Sequence, residues 1–306
     1  MKKIRYILPL VVLLASLLFA SLALADNGPH SQDKMSDPEH CTLCHRSHSS
    51  AGPGLLRESQ NLAAFCYTCH GRDRSGAATN VQDGRYSNGE GLRGGGFEQA
   101  VMDPGLTGTP SSKKVTSAHS VDSSLVRAWG GGDISSTPDY GNLIALDCTS
   151  CHNPHGNGTY RMLRPRPKGM FNEENAEPVV VPDEDSPTYT ITYDETTHYR
   201  DTSYVPENLD KWCAQCHTRY LAGPEAGHTP SGDAIFNFRH PTEGLPGGCL
   251  ACHVAHGTTA TVGEYGGAVN LPDGTSGGGA SDSRLLHTDG RGVCLQCHSA
   301  SSLTQN

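Results

Sequence analysis

The sequence predicts a mostly irregular fold, built from short helices and a few short strands, and organised around repeated attachment motifs instead of a large apolar core. Three observations predict it. The pentapeptide pattern C-x-x-C-H occurs six times and uses all 12 cysteines. Hydrophobic residues are 35% and aromatic residues 6% of the chain, too few for a normal core at this length. Glycine is 36 of 306 residues, above the usual share of ~7%.

The six motifs are Cys41-Thr42-Leu43-Cys44-His45, Cys66-Tyr67-Thr68-Cys69-His70, Cys148-Thr149-Ser150-Cys151-His152, Cys213-Ala214-Gln215-Cys216-His217, Cys249-Leu250-Ala251-Cys252-His253 and Cys294-Leu295-Gln296-Cys297-His298. C-x-x-C-H is the attachment pattern of a c-type haem. Two intervening residues, wound in one helical turn, bring both thiols to one edge of the porphyrin, where each forms a thioether with a vinyl group. The next residue then carries its imidazole to the iron. An even cysteine count also fits disulfides, and paired C-x-x-C also fits zinc. Neither needs a histidine after every second cysteine, so the pattern favours six haem c groups. These would serve as core and as covalent staples, and the chain without them is expected not to fold.

Lys2, Lys3 and Arg5, an apolar run to Leu24 and the small-x-small site Ala23-Leu24-Ala25 read as an export signal, residues 1–25. Residues 26–306 then form one hexahaem domain with no membrane span. Export suits bacterial haem c, which is attached outside the cytoplasm. Without the three basic leader residues the chain has 20 Lys and Arg against 32 Asp and Glu, a net of −12. That balance argues against nucleic acid or acidic lipid as partners.

Motifs one and two lie close together, and motif three stands alone. Motifs four, five and six crowd into 213–298. The gap 71–147 contains Gly94-Gly95-Gly96 and Gly130-Gly131-Gly132 and reads as loop, with a short helix expected over 98–101. Helices are expected over 62–70 and 206–217, the second opened by Pro206. Strands are expected at 179–181 and 188–193, from β-branched and aromatic runs. Residues 182–187 read as a solvated acidic turn and 274–279 as a surface connection.

Ten of the 16 histidines lie outside the motifs, enough to close every iron on its second face. His48, His155 and His256 each follow a motif histidine by three residues. The two imidazoles of such a pair arise too close together to grip opposite faces of one porphyrin. The second must therefore reach a different haem, which brings two haems near each other. His119 and His240 are the next candidates, and His228 is favoured over His30 and His287 for the sixth position.

These features are similar to those of multihaem cytochromes with doubled C-x-x-C-H motifs. More narrowly, they resemble the hexahaem, OmcS-type outer-surface cytochromes of metal-reducing bacteria. The resemblance rests on CTLCHRSHSS with a following LL before CYTCHG, GGGF ahead of the His119 segment, CTSCHNPHG, WCAQCH with FRHP downstream, CLACHVAHG and a final CLQCH. It implies six low-spin bis-histidine haems in a continuous chain and head-to-tail assembly into conductive filaments. It also implies that His48 serves a haem of the neighbouring copy. Partners would be further copies of the chain and redox proteins or external metal acceptors, at the cell surface, outside the cell or in the periplasm.

Bis-histidine closure leaves no iron position for substrate, so the expectation is an electron carrier and no enzyme. The competing reading is a reductase of a small nitrogen or sulfur oxyanion, which needs one open iron. A docking module with haems as staples is a third, and it requires haems too far apart for rapid transfer.

Overall fold

The computed structural model describes residues 30, 38–57, 61–73, 76–101, 112–128, 130, 142–169, 173–182, 208–223, 225, 239–240, 242–243, 248–261 and 284–287. Residues 1–25, the sixth motif with Cys294, Cys297 and His298, His198, His228, Pro206, and segments 183–193 and 274–279 lie outside the described residues.

Each described motif rides on one helical turn. Helix α1 (Pro38–Cys44) carries the first and α2 (Leu62–His70) the second. Asn61 caps α2 by accepting the Ala64 N–H at 3.1 Å, and the helix stops where Gly71 donates back to Tyr67. In α3 (Cys148–Cys151) Asp147 and Ser150 form a reciprocal capping box, which holds the third motif's turn without any long helix behind it. Helix α4 (Leu209–Cys213) leads into the fourth motif, and a 3-10 turn (Gly248–Ala251) carries the fifth. One turn places a cysteine and the cysteine three residues later on the same face, as double attachment requires.

Strands are short and pair in twos. They are β1 (Thr79–Asn80) with β2 (Arg85–Tyr86), β3 (Gln99–Ala100) with β4 (Lys113–Lys114), β5 (Ser117–Ala118) with β8 (Gly257–Thr258), and β6 (Leu125–Ala128) with β7 (Asn142–Ala145), all antiparallel. The β5–β8 pair matters most for the site, because it ties the His119 segment to the residues just after His256.

Three local features differ from the sequence reading. The helix expected at 98–101 is strand β3: the Phe97 N–H donates to Val81, and Glu98 and Gln99 both donate to the Gln82 carbonyl, which draws the segment into extended pairing. Residues 179–181 form no strand; beyond a single bridge from Thr159 to Pro182 the ladder stops, since proline has no N–H to continue it. In 206–217 the α-helix starts at Leu209, after Asn208 in the left-handed region at φ 66°, and covers five residues.

The buried side chains form three small clusters. Ala100 and Val254 meet Val115 and Leu285; Ala128, Ile144 and Leu146 meet Val126 and Cys216; Leu163, Val181 and Leu209 meet Tyr160, Trp212 and Leu250. Each joins segments far apart in the sequence. The run Gly94-Gly95-Gly96 has a specific task here. A side-chain carbon on Gly95, which sits at φ 70°, would come within 1.8 Å of the Gly257 carbonyl oxygen. Only glycine lets this loop lie against the residues following the fifth motif. No helix among the described residues is long and apolar enough to cross a membrane.

Candidate haem-binding centre

Three motif histidines are held by one recurring clamp. In the first, the Nδ1–H of His45 donates to the Gly54 carbonyl at 2.7 Å, Arg46 N–H donates to Leu55, Arg57 N–H donates to Cys44, and His45 bridges Leu56. The second repeats this with His152 Nδ1 on Arg161 at 2.8 Å, Asn153 on Met162, Arg164 on Cys151, and His152 bridging Leu163. The third has His253 Nδ1 on Arg284 at 3.0 Å, Val254 on Leu285, His287 on Cys252, and His253 bridging Leu286. The carbonyl is presented each time by two successive residues with positive φ: Gly54 and Leu55, Arg161 and Met162, Arg284 and Leu285. A carbonyl can only accept, so Nδ1 carries the proton and Nε2 keeps its lone pair for a metal.

The histidine rings then face each other in pairs. His45 stands opposite His155 at a centroid distance of 6.0 Å, His70 opposite His30 at 6.1 Å, His217 opposite His119 at 6.3 Å and His152 opposite His256 at 6.4 Å. Two metal–imidazole bonds of about 2 Å, with about 1 Å from each bonding nitrogen to its ring centre, put two axial imidazoles about 6 Å apart. Nδ1 is also occupied on the second member of two pairs: His30 donates to Pro154 and His119 to Ala255, both at 2.7 Å. His70 Nδ1 meets Thr79 Oγ1 at 3.0 Å. His256 buries Nδ1 against Gly94 without a well-formed hydrogen bond.

Burial disfavours the charged form of His70, His119, His152, His253 and His256, and the neutral imidazole is the form that binds metal. Desolvation lowers the pKa of His70, with the His30 charge adding to it, and lowers those of His119, His152 and His253. His256 is pushed down to about 3 by burial first and by the His152 charge second.

The cysteines of successive motifs sit side by side. Burial first, and the Cys69 thiol second, raises Cys44; burial first, and the Cys216 thiol second, raises Cys151; and the thiols of Cys66 and Cys148, like those of Cys213 and Cys249, interact with each other. In both interacting pairs the contact raises one thiol, Cys66 or Cys213, and lowers its partner. None of the ten described cysteines Cys41, Cys44, Cys66, Cys69, Cys148, Cys151, Cys213, Cys216, Cys249 and Cys252 is paired in a disulfide. Among the described residues no cluster of three or more His, Cys, Asp or Glu side chains could hold a bare metal ion. The facing imidazoles and the motif thiols beside them fit a cofactor that would take two thiols at its edge and an imidazole on each face. A c-type haem is such a group, and it supplies a one-electron iron couple.

The second histidine of each C-x-x-C-H-x-x-H has its own placement. His155 and His256 face motif histidines of other motifs, whereas His48 is exposed and faces no other ring among the described residues. His253 likewise has no ring opposite it there. His240 is exposed, and His287 is buried at 1% exposure. His30 was only an alternative on sequence grounds, yet it lies opposite His70. The sequence held no local signal for it beyond a histidine shortly before the first motif.

Residues 34–75, which span the first two motifs, match the family model of the doubled CXXCH motif. No curated protein and no solved structure matches the chain. With C-x-x-C-H repeated beyond the matched segment, the doubled motif supports a multihaem c-type cytochrome, carrying covalently bound haem c and working in electron transfer.

Proposed function

We propose that the chain is an electron conduit with six bis-histidine haems, joined end to end with further copies into a filament at the cell surface or outside the cell. The carrying observation is the set of four facing histidine pairs at 6.0–6.4 Å. An iron closed on both faces has no position for substrate, which supports carriage over bond chemistry. The adjacency of thiols from motifs one to two, two to three, three to four and four to five supports one continuous line of haems in sequence order. Electrons would pass along that line to redox proteins or external metal acceptors.

The polymer reading gains support from the direction of ligation. Motif five lends His256 to the haem of motif three, and motif three lends His155 to that of motif one. Among the described residues motif one has His48 left over, and motif five has His253 without a counterpart. His48 of one copy opposite His253 of the next continues the series. A head-to-tail contact that does not close gives an open filament.

His253 also favours a second reading. No described histidine closes the second face of its haem in a single chain, and an open face is the feature a small-oxyanion reductase needs. Optical and paramagnetic-resonance spectra of the oxidised protein separate the two. The conduit requires an all low-spin polymer that does not bind cyanide or nitrite. A high-spin, ligand-binding haem that persists in the polymer and turns over nitrite supports the reductase.

A further inference from the structure

The three clamps are parts of a longer repeat. Unit one comprises His30, motif one with its clamp, and motif two. Unit two comprises His119, motif three with its clamp, and motif four. In each, the histidine that precedes the odd-numbered motif faces the histidine of the following even one, His70 or His217. The third unit holds motif five with its clamp, followed by motif six in the sequence. Its clamp closes across 31 residues where the others close across nine, so an insertion separates the two halves of this unit.

The joints between units repeat as well. Unit two meets unit one through two histidine contacts: His155 faces His45, and His30 Nδ1–H donates to the carbonyl of Pro154, the residue just before His155. Unit three meets unit two through the same two: His256 faces His152, and His119 Nδ1–H donates to the carbonyl of Ala255, the residue just before His256. In both joints one ligand and the anchor of another come from adjacent residues. The residue in that position in motif one is Ser47, beside the exposed His48.

We infer that the chain is three copies of one two-haem unit, and that a second copy docks by repeating the internal joint, its Ser47 carbonyl accepting the Nδ1–H of His240. This rests on the conduit reading and adds the register of the contact and an axial role for His240 to match that of His30 and His119. His240 is the histidine that precedes the odd motif of unit three, nine residues ahead of Cys249, much as His30 precedes Cys41 by 11. It is exposed, as a residue meeting another copy must be before assembly. His287 stands at the clamp position held by Arg57 and Arg164 in the other units, which sets it apart from this role. The partner surface is thus specified by the chain's own interior: backbone of residues 46–48 on one end, and the region of His240 and His253 on the other. An end that repeats an internal joint is complementary to the opposite end of an identical chain and adds copies without limit.

Electron cryo-microscopy of filaments from the secreted fraction tests the register. The rotation and rise relating unit one to two should equal those relating two to three and three to the next copy's one, with His240 Nδ1 at hydrogen-bond distance from the incoming Ser47 carbonyl. Filaments joined in another register overturn this inference and leave the conduit intact; the absence of any filament overturns both this inference and the polymer reading. A second test uses His240→Met and His228→Met. The first should keep six haems by mass while one sixth of the bis-histidine signal converts to a histidine–methionine signature, and the second should leave the spectrum unchanged. Conversion in His228→Met alone would remove His240 from the joint.

Discussion

His155 stands opposite His45 with ring centroids 6.0 Å apart and planes inclined by 19°, although the two belong to motifs more than a hundred residues apart in sequence. On the proposed conduit reading, a ligand borrowed across that distance would make haem attachment and chain folding one process, because neither motif would complete its own site. His155→Ala should leave all six haems attached, since no cysteine changes, but open the first. The expected outcome is one high-spin haem of six in the oxidised spectrum, returned to low spin by added imidazole. Retention of a fully low-spin spectrum would show that His155 is not the ligand.

Ring orientation gives a second, independent readout. His45–His155 and His70–His30 are close to parallel, at 19° and 25°, whereas His152–His256 crosses at 63°. The angle between two axial imidazoles controls the splitting of the iron d orbitals they overlap. Paramagnetic resonance of the oxidised protein should therefore contain at least two low-spin classes: rhombic signals from the first two haems and a strongly anisotropic signal from the third. His256→Ala should remove the anisotropic class and spare the rhombic ones.

The repeated motifs were legible in the sequence, and the C-x-x-C-H-x-x-H spacing pointed His155 and His256 toward other motifs, where their rings lie near His45 and His152. The clamps were half legible. The first has Leu55-Leu56 after it and the third Leu285-Leu286, with Met162-Leu163 in the middle, but their nine- and 31-residue separations hide the common register. His30 was not legible, because its role depends on a hydrogen bond to Pro154 from far along the chain. Strand β3 was misread as helix for a similar reason: its backbone partners on residues 81 and 82 come from a turn that local propensity does not encode.

Two glycines separate local strain from long-range contact. Gly54 sits at φ 67° with open space around it, and the other two clamps tolerate arginine at the same position. Gly54→Ala should cost about 1 kcal/mol, from left-handed backbone alone, and leave the spectrum unchanged. Gly95→Ala drives a methyl into the Gly257 carbonyl next to His256. It should cost about 3 kcal/mol or more and perturb the third haem's signal. Denaturant midpoints and spectra of the two haem-loaded variants check the contrast.

Asp83 joins the end of α2 to the β1–β2 hairpin. Arg72 donates to it through Nε and Nη2, and Asn80 through Nδ2. Burial alone would raise its carboxyl, but the hydrogen bonds from Arg72 and Asn80 outweigh burial and hold it below the usual range. A depressed carboxylate stabilises the fold above its unfolded pKa of about 4, and that contribution is lost as pH falls through the folded value. Asp83→Asn should be less stable at pH 6, with the difference narrowing toward pH 2. Urea midpoints across that range measure it; a constant difference would mean that the charge of Asp83 is irrelevant.

The thiol contacts predict what happens when haem is withheld. The thiols of Cys66 and Cys148 interact, as do those of Cys213 and Cys249, each pair bridging two motifs. In the haem-loaded protein all four sulfurs are thioethers and cannot pair. Where attachment fails in an oxidising compartment, each pair can lose two protons and two electrons to the local disulfide oxidant and close. The chain exported by a host lacking haem attachment should carry 66–148 and 213–249 crosslinks above other pairings, by peptide mass mapping. Pairing within each C-x-x-C instead would mean that the two contacts arise only after haem has organised the chain, so that the interior approach of neighbouring motifs follows attachment and does not guide it.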